Sequence, residues 1–159
     1  MDKMLYFYYR TRTRNAMTAV NALPVILMLE HDDDDRFLTS HVFEEQQLNI
    51  RLEFVPNREE VFNYLQRCTD QNRPLPALIL INLHMSPVDG REVLKQLKTD
   101  DRYRHIPVVM LSGGKEAAMV RECYALGASS FIQKPAHLHE TNEKIASFFK
   151  YWFTTVELT

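Results

Sequence analysis

Glycine is scarce, with four in 159 residues, so the chain has no glycine-rich loop of the kind that cradles a nucleotide phosphate in open α/β enzymes. Cysteine is scarcer: Cys68 and Cys123 are too few for a disulfide framework and show no metal-ligand spacing, and a packing role is expected of both. No apolar run approaches the roughly 20 residues needed to cross a bilayer, and no typical signal peptide opens the chain. The expectation is a soluble protein in a reducing, cytoplasmic setting. Neither sign of charge dominates, since 19 Lys and Arg stand against 21 Asp and Glu for a net charge of -2, and nothing demands a nucleic-acid or membrane partner. What is present is core-forming material: 45% of the chain is hydrophobic and 11% of the chain is aromatic, in a length that suits one domain and excludes a large multidomain enzyme.

Three segments are distinguished. Residues 1–23 place Tyr6, Phe7, Tyr8 and Tyr9 before Arg10, Arg12 and Arg14 with no sustained helical stripe, and read as a disordered or loosely packed extension. A domain over 24–150 follows, and an aromatic tail over 151–159 closes the chain. Within the domain, Val25 to Leu29, Ala77 to Ile81, and Ile106 to Leu111 are short apolar runs suited to strands buried on both faces. Ala128 to Ile132 is a shorter one. Ile50 to Val55 alternates, with Leu52 and Phe54 opposed by Arg51 and Glu53, as an outer strand should.

Helical spacing fills the intervals. Phe37, Leu38, His41, Val42 and Glu45 form one stripe; Val61, Phe62 and Leu65 form a second after Asn57, a good N-cap; Val93, Leu94 and Leu97 form a third, capped by Asp89. Ala117, Val120 and Tyr124 predict a fourth helix ended by Gly127 in a left-handed C-cap, and Leu138, Ile145, Phe148 and Trp152 a fifth. Five strands alternating with five helices predict an α/β fold: a doubly wound, five-stranded parallel sheet in a three-layer α/β/α sandwich. A flavodoxin-like order 2-1-3-4-5 would bring the ends of the first, third and fourth strands to one crevice.

The residues at those ends are Glu30, His31 and Asp32, then Asn82, then Ser112, and finally Lys134 before Pro135. Together with the stretch Ile81 to Gly90 and with Phe131 to Pro135, they resemble the receiver domain of bacterial response regulators. The segment Phe149 to Leu158 further resembles the ending of small single-domain regulators associated with bacterial phytochrome kinases. The resemblance implies a module of two-component phosphorelay signalling, with no enzymatic activity of its own, whose partner is a sensor histidine kinase, another regulator or a second copy. Phe149, Trp152 and Phe153 are the interface candidates. In that family a strand-end aspartate takes up a phosphoryl group beside acids that bind magnesium. Asn82 stands at the implied phosphoacceptor position and His31 in the implied acid pair. A carboxamide is a poor nucleophile toward phosphorus, so phosphorylation by the usual route is expected to fail.

The resemblance also assigns switch-like roles to Ser112, Phe131 and Lys134; the plainer expectation is that Ser112 and Lys134 satisfy Asn82 and Glu30 while Phe131 packs an edge. No cofactor is expected, except that Glu30, Asp32 and the carbonyl oxygens of Asn82 and His84 are the groups available for a weak magnesium site. Two alternatives stay open: a small-ligand or metal sensor at the altered pocket around His31, Asn82 and His84, and a phosphoryl-accepting regulator using a substituted site such as His31. Too little chain follows Lys150 for an attached helix-turn-helix domain.

Overall fold

The computed structural model describes residues 23–47, 49–85, 89–134 and 138–156, with side chains omitted for 138–142 and 145. All but the last residue of the proposed 1–23 extension, Pro135 and the last three residues of the tail therefore lie outside the described residues. Five strands, β1 (Val25–Leu29), β2 (Arg51–Val55), β3 (Leu78–Asn82), β4 (Val108–Ser112) and β5 (Ser130–Gln133), alternate with α1 (Asp33–Glu45), α2 (Arg58–Asp70), α3 (Gly90–Thr99), α4 (Ala117–Ala125) and α5 (Leu138–Lys150). The sheet is parallel throughout and ordered β2-β1-β3-β4-β5. The expected architecture and strand order are those observed. Strand boundaries move by one or two residues: Ile106 lies in the turn before β4, and β5 starts at Ser130.

Every residue of β1 and β3 is buried, because each strand feeds two hydrophobic layers with alternate side chains. Leu27, Leu29, Ile79 and Ile81 point into the layer shared with Val61 and Leu65 of α2, Val93, Leu94 and Leu97 of α3, and Cys123 of α4. Ile26, Met28, Leu78 and Leu80 point the other way, against Phe149 and Trp152 with Phe43 of α1 packed alongside. Edge strand β2 sends Leu52 and Phe54 to this second layer, while Arg51 and Glu53 pair at 2.9 Å on the opposite side.

Several helix signals act as the sequence predicts. Asn57 accepts the Glu60 amide at 2.9 Å and caps α2, and Asp89 accepts the Arg91 amide at 2.8 Å and caps α3. Hydrogen bonds from the Arg91 side chain also hold the Asp89 carboxyl below its ordinary range. Gly127, at φ +96°, ends α4 with its own amide on the Tyr124 carbonyl and that of Ala128 on the Cys123 carbonyl.

Two apolar stripes are corrected. Phe37 is 75% exposed and Tyr124 50% exposed; the inward positions of α1 and α4 belong to Val42 and Cys123. The 3.6-residue period carries Phe37 onto the outer face of α1, where its ring stacks on His41. Trp152 keeps its place in the fifth helical stripe, and as interface candidates Phe149 and Trp152 are corrected. Residues Tyr151–Thr155 continue α5 as a π-helical turn, which seats Trp152 in the second layer beside Phe149. With exposures of 8% and 1%, Trp152 and Phe149 are core residues, Phe153 is half-buried, and Tyr151 is the exposed aromatic of this segment.

Gly90 fixes how closely α3 approaches β3. A Cβ at this position would lie 2.5 Å from the Asn82 carbonyl oxygen and 2.8 Å from Ile81 Cγ2, both held by the sheet. Gly90→Ala is expected to lose about 2 kcal/mol in urea unfolding, and an unchanged midpoint would refute the close approach.

Candidate functional site

The parallel sheet delivers four side chains to one edge: Glu30 follows β1, Asn82 ends β3, Ser112 ends β4 and Lys134 follows β5. Backbone links hold these ends in register, with the Leu83 amide on the Leu111 carbonyl and the Lys134 amide on the Ser112 carbonyl, each at 2.7 Å. Burial is deep, since Glu30 and Ser112 have no exposed surface and Asn82 is 8% exposed.

Glu30 is the hub. Its Oε1 accepts the amides of His31 at 2.9 Å and Asp32 at 3.1 Å. Its Oε2 accepts Asn82 Nδ2 at 2.9 Å and Lys134 Nζ at 2.8 Å. The carboxylate thus has a donor for each of its four lone-pair directions, which is what a fully buried charge requires. Asn82 uses both ends of its carboxamide, because Oδ1 accepts the His84 amide at 3.3 Å while Nδ2 faces Glu30. Lys134 reaches further, to Asp35 Oδ2 at 2.5 Å. Burial works against the Lys134 charge, but hydrogen bonds to Asp35 and Glu30 and the field of both carboxylates outweigh it and hold the ammonium pKa above the ordinary lysine value.

Of the residues singled out from the sequence, Glu30, Asn82 and Lys134 meet directly. The remainder are placed differently. Asp32 turns away to cap α1, accepting the amides of Asp34 at 2.9 Å and Asp35 at 3.0 Å, and these bonds lower its pKa. His31 is half-exposed, with Nδ1 3.2 Å from Met85 Sδ and 3.5 Å from Glu30 Oε1. His84 is exposed and contributes its backbone amide. Ser112 does not satisfy Asn82 as expected: its Oγ accepts the Gly114 amide at 3.1 Å and shapes the turn after β4. Phe131 is half-buried against the first hydrophobic layer.

Two participants escaped the sequence reading. Asp35 stands in the acidic run Asp32 to Asp35, and it sits three residues after the Asp32 cap, a spacing that sets it apart from Asp33 and Asp34. Arg36 follows it; its Nε donates to the Glu30 carbonyl at 2.7 Å and its guanidinium lies over the Phe54 ring.

The donor set does not fit magnesium. Among the described residues no three His, Cys, Asp or Glu side chains gather in a cluster able to hold a metal ion. Glu30 has its acceptor positions filled by N–H donors, Asp32 is committed to a helix cap, and Lys134 places a cation between Glu30 and Asp35. A hard divalent ion prefers a compact shell of anionic oxygen and water, and the neutral Asn82 amide supplies a donor where such an ion would need an acceptor.

This arrangement of strand ends agrees with a match of the response regulator receiver domain family over residues 26–146. The chain belongs to this family. Receiver domains are signalling modules that act by protein-protein interaction in two-component pathways and are not enzymes. Among curated relatives, the probable methanogenesis regulatory protein FilR2 of Methanothrix harundinacea is 29% identical over 80% of this chain and 83% of its own. Response regulator Rcp1 of Synechocystis is 28% identical over 87% of this chain and 95% of its own. Among solved structures, response regulator RPA3017, which belongs to red light signaling of R. palustris, superposes with a TM-score of 0.77 at 32% identity, over 86% of this chain and 99% of that one. The Mn(2+)-bound form of Rcp1 superposes equally well, with a TM-score of 0.77 at 28% identity and the same coverage. The receiver domain here is thus similar to phytochrome-associated response regulators. None of its helices among the described residues is long and apolar enough to cross a membrane.

Proposed function

We propose that this receiver domain signals without phosphoryl transfer to its strand-end residue, and works through contacts with a sensor histidine kinase, another regulator or a second copy of itself. The observation that carries the reading is the Asn82 carboxamide at the end of β3, buried and hydrogen-bonded to Glu30 at 2.9 Å. In an acceptor, the group at this place must present electron density to phosphorus. Here the nitrogen lone pair is delocalised into the amide and the N–H is donated inward, so attack would require breaking a buried hydrogen bond and generating a cationic imidate. Lys134, which in the family meets phosphoryl charge, is already neutralised by Glu30 and Asp35. At His31, the ring Nδ1 is directed at Met85 and Glu30.

The test is intact-mass analysis of the chain after incubation with acetyl phosphate and magnesium. No phosphoryl adduct is expected at any time point; an adduct lost on Asn82→Ala, or on His31→Ala for the substituted route, would refute the proposal. The partner arm compares pull-down of the purified cognate kinase with and without ATP, and the amount retained is expected to be the same in both.

A further inference from the structure

A groove of about 520 Å³ opens at the edge of the sheet opposite Glu30, Asn82 and Lys134, where β1 begins and the helical tail ends. Leu75, Trp152, Phe153 and Val156 give it apolar walls. Among the described residues its charged lining consists of Arg51 and Arg73, with no carboxylate. Arg73 holds Nη2 3.9 Å from Sγ of Cys68, itself a lining residue.

The chain enters the fold at this groove. Leu23, Pro24 and Val25 are part of the lining, and Leu23 is 51% exposed. The sequence before them carries four consecutive aromatics, Tyr6, Phe7, Tyr8 and Tyr9, followed by Arg10, Arg12 and Arg14. Tyr9 precedes Leu23 by 14 positions, a tether of up to about 46 Å when extended, which is ample to turn back on a groove that starts at Leu23 itself. Volume selects what fits: an apolar cavity of roughly 150 Å³ takes up one benzene, so this groove has room for about three rings. Charge selects the register, since Arg51 and Arg73 repel Arg10, Arg12 and Arg14 and favour the π faces and phenol oxygens of tyrosine. A short tether also gives its own aromatics an effective concentration in the millimolar range, which a second copy at micromolar concentration does not match.

We propose that this groove is the docking site of the chain's own aromatic segment, residues 6–9, bound in cis with Arg10, Arg12 and Arg14 left outside it. Docking covers the second hydrophobic layer at Trp152 and Phe153 and so ties the start of β1 to the end of the helical tail. The inference is independent of the chemistry at Asn82.

The test places a nitroxide on the full chain through Met4→Cys and reads amide nitrogen-proton spectra. Cys68 and Cys123 are buried, and the unsubstituted chain treated with the same reagent is the control. The amides of Leu75, Phe153 and Val156 are expected to lose intensity while those of Asn82 and Ser112 keep theirs. No loss at the groove overturns the proposal. Mixing nitroxide-bearing chains that carry no isotope with isotope-labelled chains that carry no nitroxide separates the sources. Intensities kept in the mixture support docking in cis, and intensities lost there assign the groove to a second copy and overturn it. Tyr6→Ser, Phe7→Ser, Tyr8→Ser and Tyr9→Ser combined should restore the intensities, and a loss that persists overturns the aromatic assignment. Trp152, the single tryptophan of the chain, gives a readout without labelling. In the combined serine variant its emission should shift to the red and be quenched more readily by acrylamide; unchanged emission and quenching overturn the site.

Discussion

Asn82→Asp is expected to destabilise the metal-free chain by about 3 kcal/mol at neutral pH and to make its stability respond to magnesium. The wild-type amide donates to Glu30 Oε2 at 2.9 Å. A carboxylate there has no proton to give, so two buried anions would face each other at hydrogen-bond distance with one lysine to share. The lost donor and the like-charge contact act in the same direction. One proton shared by the pair relieves the repulsion, so the apparent carboxyl pKa of the pair is raised and the deficit shrinks as pH falls toward 5. Magnesium relieves it differently, by placing a cation between the oxygens, and at 100-fold excess over its Kd would return about 2.7 kcal/mol. Urea unfolding of wild type and variant, with and without magnesium, checks each part. A wild-type midpoint that rises with magnesium as much as the variant's would refute the reading of Asn82 as a residue that closes the site to metal. Adding His31→Asp to Asn82→Asp should strengthen the magnesium response, since it supplies a further carboxylate beside Glu30.

Lys134→Met should cost about 3 kcal/mol, because it leaves Glu30 charged, without exposed surface and short of one of its four donors. The substituted side chain keeps the length of the aliphatic stem, so the loss reports the ammonium and not the packing. Glu30→Gln in the Lys134→Met background should return a large part of the loss by removing the orphaned charge, and the double-mutant cycle should yield a coupling of at least about 1.5 kcal/mol. The pH dependence has a definite sign. The Lys134 pKa is raised above 10.5 by its two carboxylate partners against the effect of burial, so its contribution is complete below that value and is lost as pH rises through the folded-state pKa. The stability difference between wild type and Lys134→Met should therefore be level from pH 6 to 9, and close in more alkaline solution. A difference that grows there would refute the ion-pair account.

Both results turn on one electrostatic arrangement, in which a lysine and a carboxamide together satisfy one buried glutamate. In physical terms Asn82 stands in for a cation: its N–H bridges toward Glu30 without adding charge, and the edge of the sheet is closed by the chain itself. Asp35 extends the arrangement to α1, so that the first helix is tied through Lys134 to the loop after β5.

The strands, their order of appearance and the residues at their ends were legible in the sequence. Runs such as Val25 to Leu29 and Ala77 to Ile81 admit no solvent-facing side, and strand-helix alternation with right-handed crossovers leaves few ways to cover such strands. Capping signals at Asn57, Asp89 and Gly127 were equally local, because each depends on hydrogen bonds within a few residues. Glu30, Asn82 and Lys134 could be named together since each follows or ends a strand of a parallel sheet. What tertiary structure alone decided was the pairing of side chains once there. Whether Ser112 turns to Asn82 or to Gly114, whether Asp32 faces the pocket or caps α1, and which of four consecutive aspartates finds Lys134 depend on rotamers and helix phase set by packing far away in sequence. The same holds for Phe149 and Trp152. Their apolar character was visible in the chain, but only the phase of α5 and its π-helical continuation placed them against the sheet, where burial of an aromatic surface outweighs its exposure to a partner.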